Sequence, residues 1–337
     1  AFGGSKVQIG GPTGAFAIIV FNVVEEFGYS GLVVATLIAG VLLILLGSFK
    51  MGGLVKFIPY TIVTGFTAGI AITIATGQIG DFFGLVPNFS EPIQFMSRSI
   101  TKMPGDFLGK IIVYANSFSS INWYSTIMAI TCLVIIFISP KVTKKIPGSL
   151  VVIVLATLAD LFLKSKFGLE TTTIGSRYGS IPSSLPAPSF PVIDFKIIAD
   201  LFPTAISIAV LAAIESLLSA VVADGMIGTK HDSDTELIAQ GIANIASPIF
   251  GGIPATGAIA RTATNIKNGG RTPIAGIVHA VVLLLIMMVL GKFAVYIPMA
   301  ALAAVLVSVA WNMAGLPAIR ALLKGQKSDI CVLIVTL

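Results

Sequence analysis

The sequence predicts an all-α integral membrane protein in which one unit is repeated in inverted orientation, each copy carrying a half-helix preceded by a short strand. Three observations predict it. First, of 337 residues 55% are hydrophobic and only 11% are charged, with a mean hydropathy of +0.98. Soluble domains carry about 25% charged residues, so a water-soluble enzyme is excluded, and so is a disordered chain. Second, apolar runs long enough for a hydrocarbon core of about 30 Å recur along the chain. Third, two landmarks occur twice in the same order. Gly10-Gly11-Pro12-Thr13-Gly14-Ala15-Phe16 is echoed by Gly252-Ile253-Pro254-Ala255-Thr256-Gly257-Ala258-Ile259, and Phe57-Ile58-Pro59-Tyr60 by Tyr296-Ile297-Pro298-Met299.

Taken in order, the spanning runs are Gly28–Ser48, Ile58–Gly77, Trp123–Ser139, Pro147–Leu163, Leu201–Ala223, Pro273–Gly291 and Ile297–Met313, with Asp234–Ile245 shorter and more polar. Met103–Phe118 is amphipathic and reads as an interfacial helix. Ser165–Asp200, with Pro182, Pro186, Pro188 and Pro191, reads as an extended external loop. Pro12–Val24 and Thr256–Lys267 are too short to span as helices. With Val7–Ile9 and Pro248–Pro254 as extended leads, each reaches about the thickness of a bilayer. An odd number of crossings separates the two half-helices, so the copies should be inverted, the arrangement of many secondary transporters. A plain helical bundle with chance Gly-Pro motifs is the alternative.

The charge of +6 does not indicate nucleic acid, because the basic residues sit singly or in the group Lys141, Lys144, Lys145 within gaps between apolar runs. They report orientation instead. Lys50, Lys56, Lys141, Lys144, Lys145, Lys230, Arg320, Lys324 and Lys327 crowd short loops on one side, which is therefore cytoplasmic, whereas Arg98, Lys102, Lys164 and Lys166 are diluted in long loops. The two cysteines, Cys132 and Cys331, have no metal-ligand spacing around them. Ala1 and Leu337 both read like cuts, so the chain is expected to be a fragment.

Helix N-termini expose unpaired N–H groups and a partial positive charge. Two half-helices aimed at each other near mid-membrane could hold an anion between them. Gly10, Gly11, Gly14, Gly251, Gly252 and Gly257 would admit it to the backbone with no Cβ in the way, and Thr13 and Thr256 could add hydroxyls or act as caps. Close helix packing is the other use for those glycines. Glu215 and Arg261 fall inside spans, where ionisable groups are expensive and by default functional. They could share a transport site or form a structural ion pair. Ser219 lies one turn beyond Glu215, and Asp160 stands near a helix end where it could reach the interface. His231, in Thr229–Asp234, reads as part of a solvated loop, and His279 as a packed core residue.

Gly10–Phe16, Leu201–Ala223 with its central Ile214-Glu215-Ser216-Leu217-Leu218, and Gly251–Asn265 with Arg261 resemble the SulP family of sulfate-permease-like anion transporters. Ala223-Asp224, Asn244, Gly252–Pro254 and Arg261-Thr262 add to the resemblance. It implies a 7+7 inverted-repeat transporter fold with core and gate domains, here lacking the first two and the last helices and the C-terminal STAS domain. The chain is then one transmembrane domain, with a first-repeat remnant at 1–165, an extracellular linker at 166–199 and the second repeat at 200–337. Substrate would sit between Pro12–Val24 and Thr256–Lys267, with Gly11, Thr13, Gly14, Ala15, Glu215, Thr256, Gly257, Ala258 and Arg261 as binding residues. Where sodium-coupled bicarbonate members carry Asp and Thr, this chain has Glu215 and Ser219, which leans towards proton coupling. Ala260 stands where several eukaryotic relatives have Ser.

The expectation is secondary active transport of an inorganic anion, sulfate first, coupled to a proton or to sodium at Glu215 and Ser219. It needs no cofactor and no catalytic residue. The protein would be a homodimer in the plasma (inner) membrane. Bicarbonate or dicarboxylate transport, a nucleobase permease of the same fold, and an anion channel or exchanger are the alternatives.

Overall fold

The computed structural model describes residues 3–53, 60–89, 93–95, 98–142, 146–179, 184, 187, 188 and 195–336. At the start of the chain Gly10–Gly11 forms β1, Thr13 stays extended, and Gly14–Phe16 makes one 3-10 turn before α1 (Ala17–Ser48). The first half-helix thus begins later than Pro12, because Pro12 and Thr13 prolong the extended lead. It ends at Gly28, whose φ of 70° and ψ of −176° divide α1 in two. Only glycine adopts that backbone without strain, so the span expected from Gly28 to Ser48 begins there.

The chain continues through α2 (Tyr60–Gly77), α3 (Ile79–Phe83), the hairpin β2 (Ile93–Phe95) and β3 (Arg98–Ile100), α4 (Phe107–Asn116), α5 (Trp123–Val142), α6 (Gly148–Phe167) and α7 (Ile174–Tyr178). After it come α8 (Phe195–Ile227), α9 (Ser233–Ile249), β4 (Thr256–Gly257), α10 (Ile259–Lys267), α11 (Ile274–Ala294), α12 (Met299–Met313), α13 (Leu316–Leu322) and α14 (Lys327–Thr336). Six of the described helices are long and apolar enough to cross a membrane. Two expected boundaries move. Pro248 lies inside the last turn of α9, so the second extended lead begins only after it, and Thr256 and Gly257 belong to the strand rather than to the half-helix. Phe57, Ile58 and Pro59 of the second landmark, Lys56, Lys144, Lys145, Pro182, Pro186 and Pro191 lie outside the described residues.

The chain divides into two compact units, Ala1–Pro59 with Ser184–Met288, and Tyr60–Ser183 with Val289–Leu337. Each draws on both expected repeats. In the first unit α1 packs on α8 and α9, and α10 and β4 pack on α8. The α1–α9 crossing is glycine against glycine: a Cβ on Gly241 would stand 2.5 Å from the Gly40 carbonyl oxygen, and one on Gly40 would stand 2.8 Å from that of Gly241. Membrane helices gain most of their attraction from such close approach, since lipid already satisfies apolar surface.

In the second unit α12 supplies Ala300, Ala301 and Ala304 to a cluster with Met128, Ala129, Cys132, Val152 and Ala156. Asp160, near the end of α6, is enclosed by protein. It is 2% exposed, and its Oδ1 accepts hydrogen bonds from the Tyr124 hydroxyl and from the backbone and side chain of Thr171. The loop expected to be extended after α6 contains α7. It is strapped to the α11–α12 turn, where Met299 N–H donates to Thr172 O and Gly175 N–H to Val295 O, both at 2.8 Å.

Candidate functional site

The site belongs to the first unit and is built on the antiparallel pairing of β1 with β4, Gly10 opposite Gly257 and Gly11 opposite Thr256. Ala258 N–H extends the ladder by donating to Ile9 O at 2.9 Å. Two of these glycines leave little room for a side chain. A Cβ on Gly257 would fall 1.6 Å from Gln8 Nε2 and displace Gln8 from Ser216, and Gly11, at φ +155°, has a backbone that other residues rarely adopt.

Each strand is fastened to α8. Thr256 Oγ1 donates to Ala212 O at 2.9 Å, Gly257 N–H donates to Ser216 Oγ at 3.2 Å, and Gln8 Nε2 donates to Ser216 O at 2.9 Å. Asn244 of α9 clamps Ala255, its Oδ1 accepting from Ala255 N–H and its Nδ2 donating to Ala255 O. Backbone groups held away from water must find partners inside the protein. That requirement consumes the donors of Thr256, Gly257 and Ala258, which sequence reasoning had assigned to an anion.

Other donors remain at both half-helices. In α10 the first helical bond runs from Thr262 N–H to Ala258 O, so the N–H groups of Ile259, Ala260 and Arg261 precede it. At the first half-helix the 3-10 turn opens with Phe16 N–H on Thr13 O, ahead of which stand the N–H groups of Gly14 and Ala15. The charges gather at the same entry. Thr13 Oγ1 donates to Glu215 Oε2 at 2.7 Å, and Arg261 Nη2 donates to Pro12 O at 2.9 Å. Two consecutive residues therefore hold one acid and one base, and among the described residues the Glu215–Arg261 ion pair considered as an alternative is not formed.

Ser219 is placed differently from Glu215. Its hydroxyl donates to Thr262 Oγ1 at 3.1 Å, and the same oxygen accepts from Ile9 N–H at 3.0 Å. A cavity of about 390 Å³ lies against Arg261 and is lined also by Ile9, Ala260, Thr264, Asn265 and His279. His279 is thus a cavity residue, and its Nε2 has no partner among the described residues. A second cavity, of about 480 Å³, borders Gln8, Gly10, Gly11, Glu236 and Gln240.

Sequence reasoning missed Gln8, which stood in view two residues before the glycine pair. Its part depends on facing Ser216, a neighbour distant in the chain. His231 was misread. Its side chain is 8% exposed rather than solvated, because Asp224 and Ser233 enclose it.

Residues 1–336 match the Sulfate permease family profile. The Bacillus subtilis (strain 168) protein named "Putative sulfate transporter YvdB" is 44% identical over 335 residues, 99% of this chain and 60% of that protein. The chain therefore spans about 60% of that relative's length. The solved transmembrane domain of a cyanobacterium bicarbonate transporter, BicA, superimposes with a TM-score of 0.84 at 29% identity, over 99% of this chain and 82% of that one. The structure of SLC26A9 matches with a TM-score of 0.80 at 19% identity, over 99% of this chain and 54% of that one, a likeness of fold. The paired half-helices, the six apolar spans and the match along the whole chain agree, and the chain belongs to the sulfate permease family.

Proposed function

We propose that this chain is the membrane part of a secondary active transporter that carries an inorganic anion, sulfate first, together with a proton. The observation that carries the reading is the meeting of two half-helix N-termini at the β1–β4 pair, with Arg261 and Glu215 attached to consecutive residues of the first. The N–H groups of Gly14, Ala15 and Ile259–Arg261 supply directed donors and helix-terminal positive potential. Arg261 adds a full charge.

An anion approaching Thr13 meets the Glu215 carboxylate, and two negative charges a few ångströms apart repel strongly in a low-dielectric site. A proton on Glu215 removes that repulsion, so proton and anion favour each other. The antiparallel strand pairing supports an inverted repeat, and by family likeness the protein works as a homodimer in the plasma membrane. Likeness to a bicarbonate transporter favours a second reading, bicarbonate as the anion, and with it we pair sodium coupling at Glu215 in place of the proton.

The deciding measurement is [35S]sulfate accumulation by the full-length protein in proteoliposomes. Uptake should rise as external pH falls, and an inward proton gradient should concentrate sulfate. Glu215→Gln should bind sulfate yet lose both responses. Accumulation that follows sodium and ignores pH would overturn the proton reading in favour of the second.

A further inference from the structure

The connection between α8 and α9 is built around one histidine. α8 stops at Gly228, a C-terminal cap at φ +69° whose N–H returns to Asp224 O. The next residues fold back over the Asp224 side chain. Thr229 Oγ1 donates to Oδ1 at 3.0 Å, His231 N–H donates to Oδ2 at 2.9 Å, and His231 Nδ1 lies 2.7 Å from the same Oδ2. On the other edge of the ring, Nε2 stands 2.9 Å from Ser233 Oγ at the first turn of α9. Asp224 is 18% exposed, so the His231–Asp224 contact is largely shielded from water.

This knot reaches the lead of the first half-helix. Asp232 N–H donates to Gly4 O at 3.3 Å, and a Cβ on Gly4 would collide with the Asp232 carbonyl oxygen at 1.8 Å. One turn on, Glu236 is 2% exposed and accepts Ser5 N–H. Asp234 Oδ1 accepts Gly52 N–H, just beyond the end of α1. The six residues from Gly228 to Ser233 therefore join α8 and α9 to the backbone that leads into Gly10 and Thr13.

Both protonation states of the ring fit this geometry without moving it. A neutral ring donates from Nδ1 to Asp224 and accepts the Ser233 hydroxyl at Nε2, whereas a charged ring donates at both edges. The difference is an ion pair. The charged groups on the elements packed here are Asp224 of α8, Lys230 and Asp232 of the connection, Asp234 and Glu236 of α9, Lys6 of the lead, Lys50 at the end of α1, and, from α10 packed on α8 and the lead, Lys267 at its end and Arg271 just beyond. The group in direct contact with the ring is the Asp224 carboxylate, and Asp232 is the next residue in the chain, so a positive imidazole is attracted to its immediate partners. Histidine is the side chain that changes charge in the physiological range.

We propose that Asp224, His231 and Ser233 form a proton-operated latch that fixes the lead of the first half-helix to the α8–α9 connection when the ring is charged and loosens it when the ring is neutral. The latch goes beyond anion coupling at Glu215 and does not depend on it. The Asp232 carboxyl, held below its usual range chiefly by the Thr235 backbone N–H, keeps its charge beside the ring throughout the latch's range.

The test is hydrogen–deuterium exchange of the full chain in nanodiscs between pH 5.5 and 8, corrected for intrinsic exchange and without any anion substrate. Residues 3–9 and 228–236 should lose protection roughly threefold to tenfold as pH rises, the scale of a shielded ion pair. His231→Gln keeps a hydrogen-bond donor but carries no charge, so its exchange should show no pH step. Asp224→Asn takes away the ring's charged partner and should also remove the step. Exchange in the wild-type segment that does not vary with pH, or a full step surviving in either variant, would overturn the latch. Because exchange is read without anion, failure here leaves the transport reading untouched.

Discussion

The two half-helices follow similar sequence landmarks yet are held in opposite ways. The first, Ala17 to Phe27, is mainly apolar, and Thr13, at its entry, engages the framework at Glu215. The second, α10, is short and polar, and it spends its side chains on the other's lead. Thr262 accepts Ile9 N–H, Asn265 donates to Val7 O and Arg261 donates to Pro12 O. α10 is therefore a bracket and the first half-helix is what it holds. Two half-helices with similar leads thus differ in how they satisfy buried backbone, which in a membrane has no water to turn to. Damage to the second half-helix should accordingly spread to the first, and the converse should be weaker.

The largest expected effect separates the two partners of one strand pair. Gly257→Val drives a branched side chain into Gln8 and the Ser216 backbone, with the first collision at 1.6 Å. Overpacking on this scale costs about 3 kcal/mol or more, so Gly257→Val should lower the melting temperature sharply and cost folded yield along with anion binding. Gly10→Ala meets nothing closer than 3.6 Å and should melt like wild type. Equal behaviour of the two would remove the asymmetry at its root.

Thr262→Val comes next. It is isosteric but deletes the acceptor of Ile9 N–H and the partner of Ser219, at a residue 0% exposed. Leaving buried polar groups unpaired costs about 2 kcal/mol. Exchange protection at Val7–Ile9, on the first half-helix's side, should fall along with that of α10. Protection lost in α10 alone would break the bracket argument. Arg261→Gln should act more on affinity than on stability, raising the sulfate dissociation constant about tenfold and that of chloride about threefold, because a lost positive charge matters more to a divalent ion. Equal losses for the two anions would mean that Arg261 serves through Pro12 rather than through its charge.

The fold was legible where the physics is one-dimensional. Apolar length found the spans, and the repeated Gly-Pro landmark found both half-helices, although the first was expected to end at Val24 and ends at Gly28. Pro248 and Thr256 were assigned to the wrong element because helix and strand ends are set by tertiary partners, here the clamp of Asn244 on Ala255 and of Ser216 on Gly257. At the site, charge in an apolar run was enough to single out Glu215 and Arg261. It could not say that they would bond to Thr13 and Pro12 instead of each other. The roles of Gln8, Asp160 and His231 were unreadable for one reason. Each depends on a neighbour that the folded chain brings against it, Ser216, Tyr124 and Asp224 respectively.

The smallest effect tests the bracket from the far end of the lead. Asp232 caps α9 by accepting the N–H groups of Asp234 and Thr235, both at 3.0 Å, while its own N–H holds Gly4 O. Those donors, Thr235 first, hold its carboxyl below the usual aspartate range. A lowered value means that folding favours the charged form. The cap's contribution is complete above the usual value of about 4 and disappears as pH falls through the lowered one. Asp232→Ala should therefore cost about 1 kcal/mol at neutral pH and about 2 °C in melting temperature. The gap from wild type should close in strong acid, as the carboxylate that makes the difference is protonated. The lead of the first half-helix should loosen with it, while α10, gripped from elsewhere, should not. A gap that persists unchanged at low pH would assign the loss to something other than the charged cap, and equal loosening of α10 would show that the lead supports its bracket as much as the bracket supports the lead.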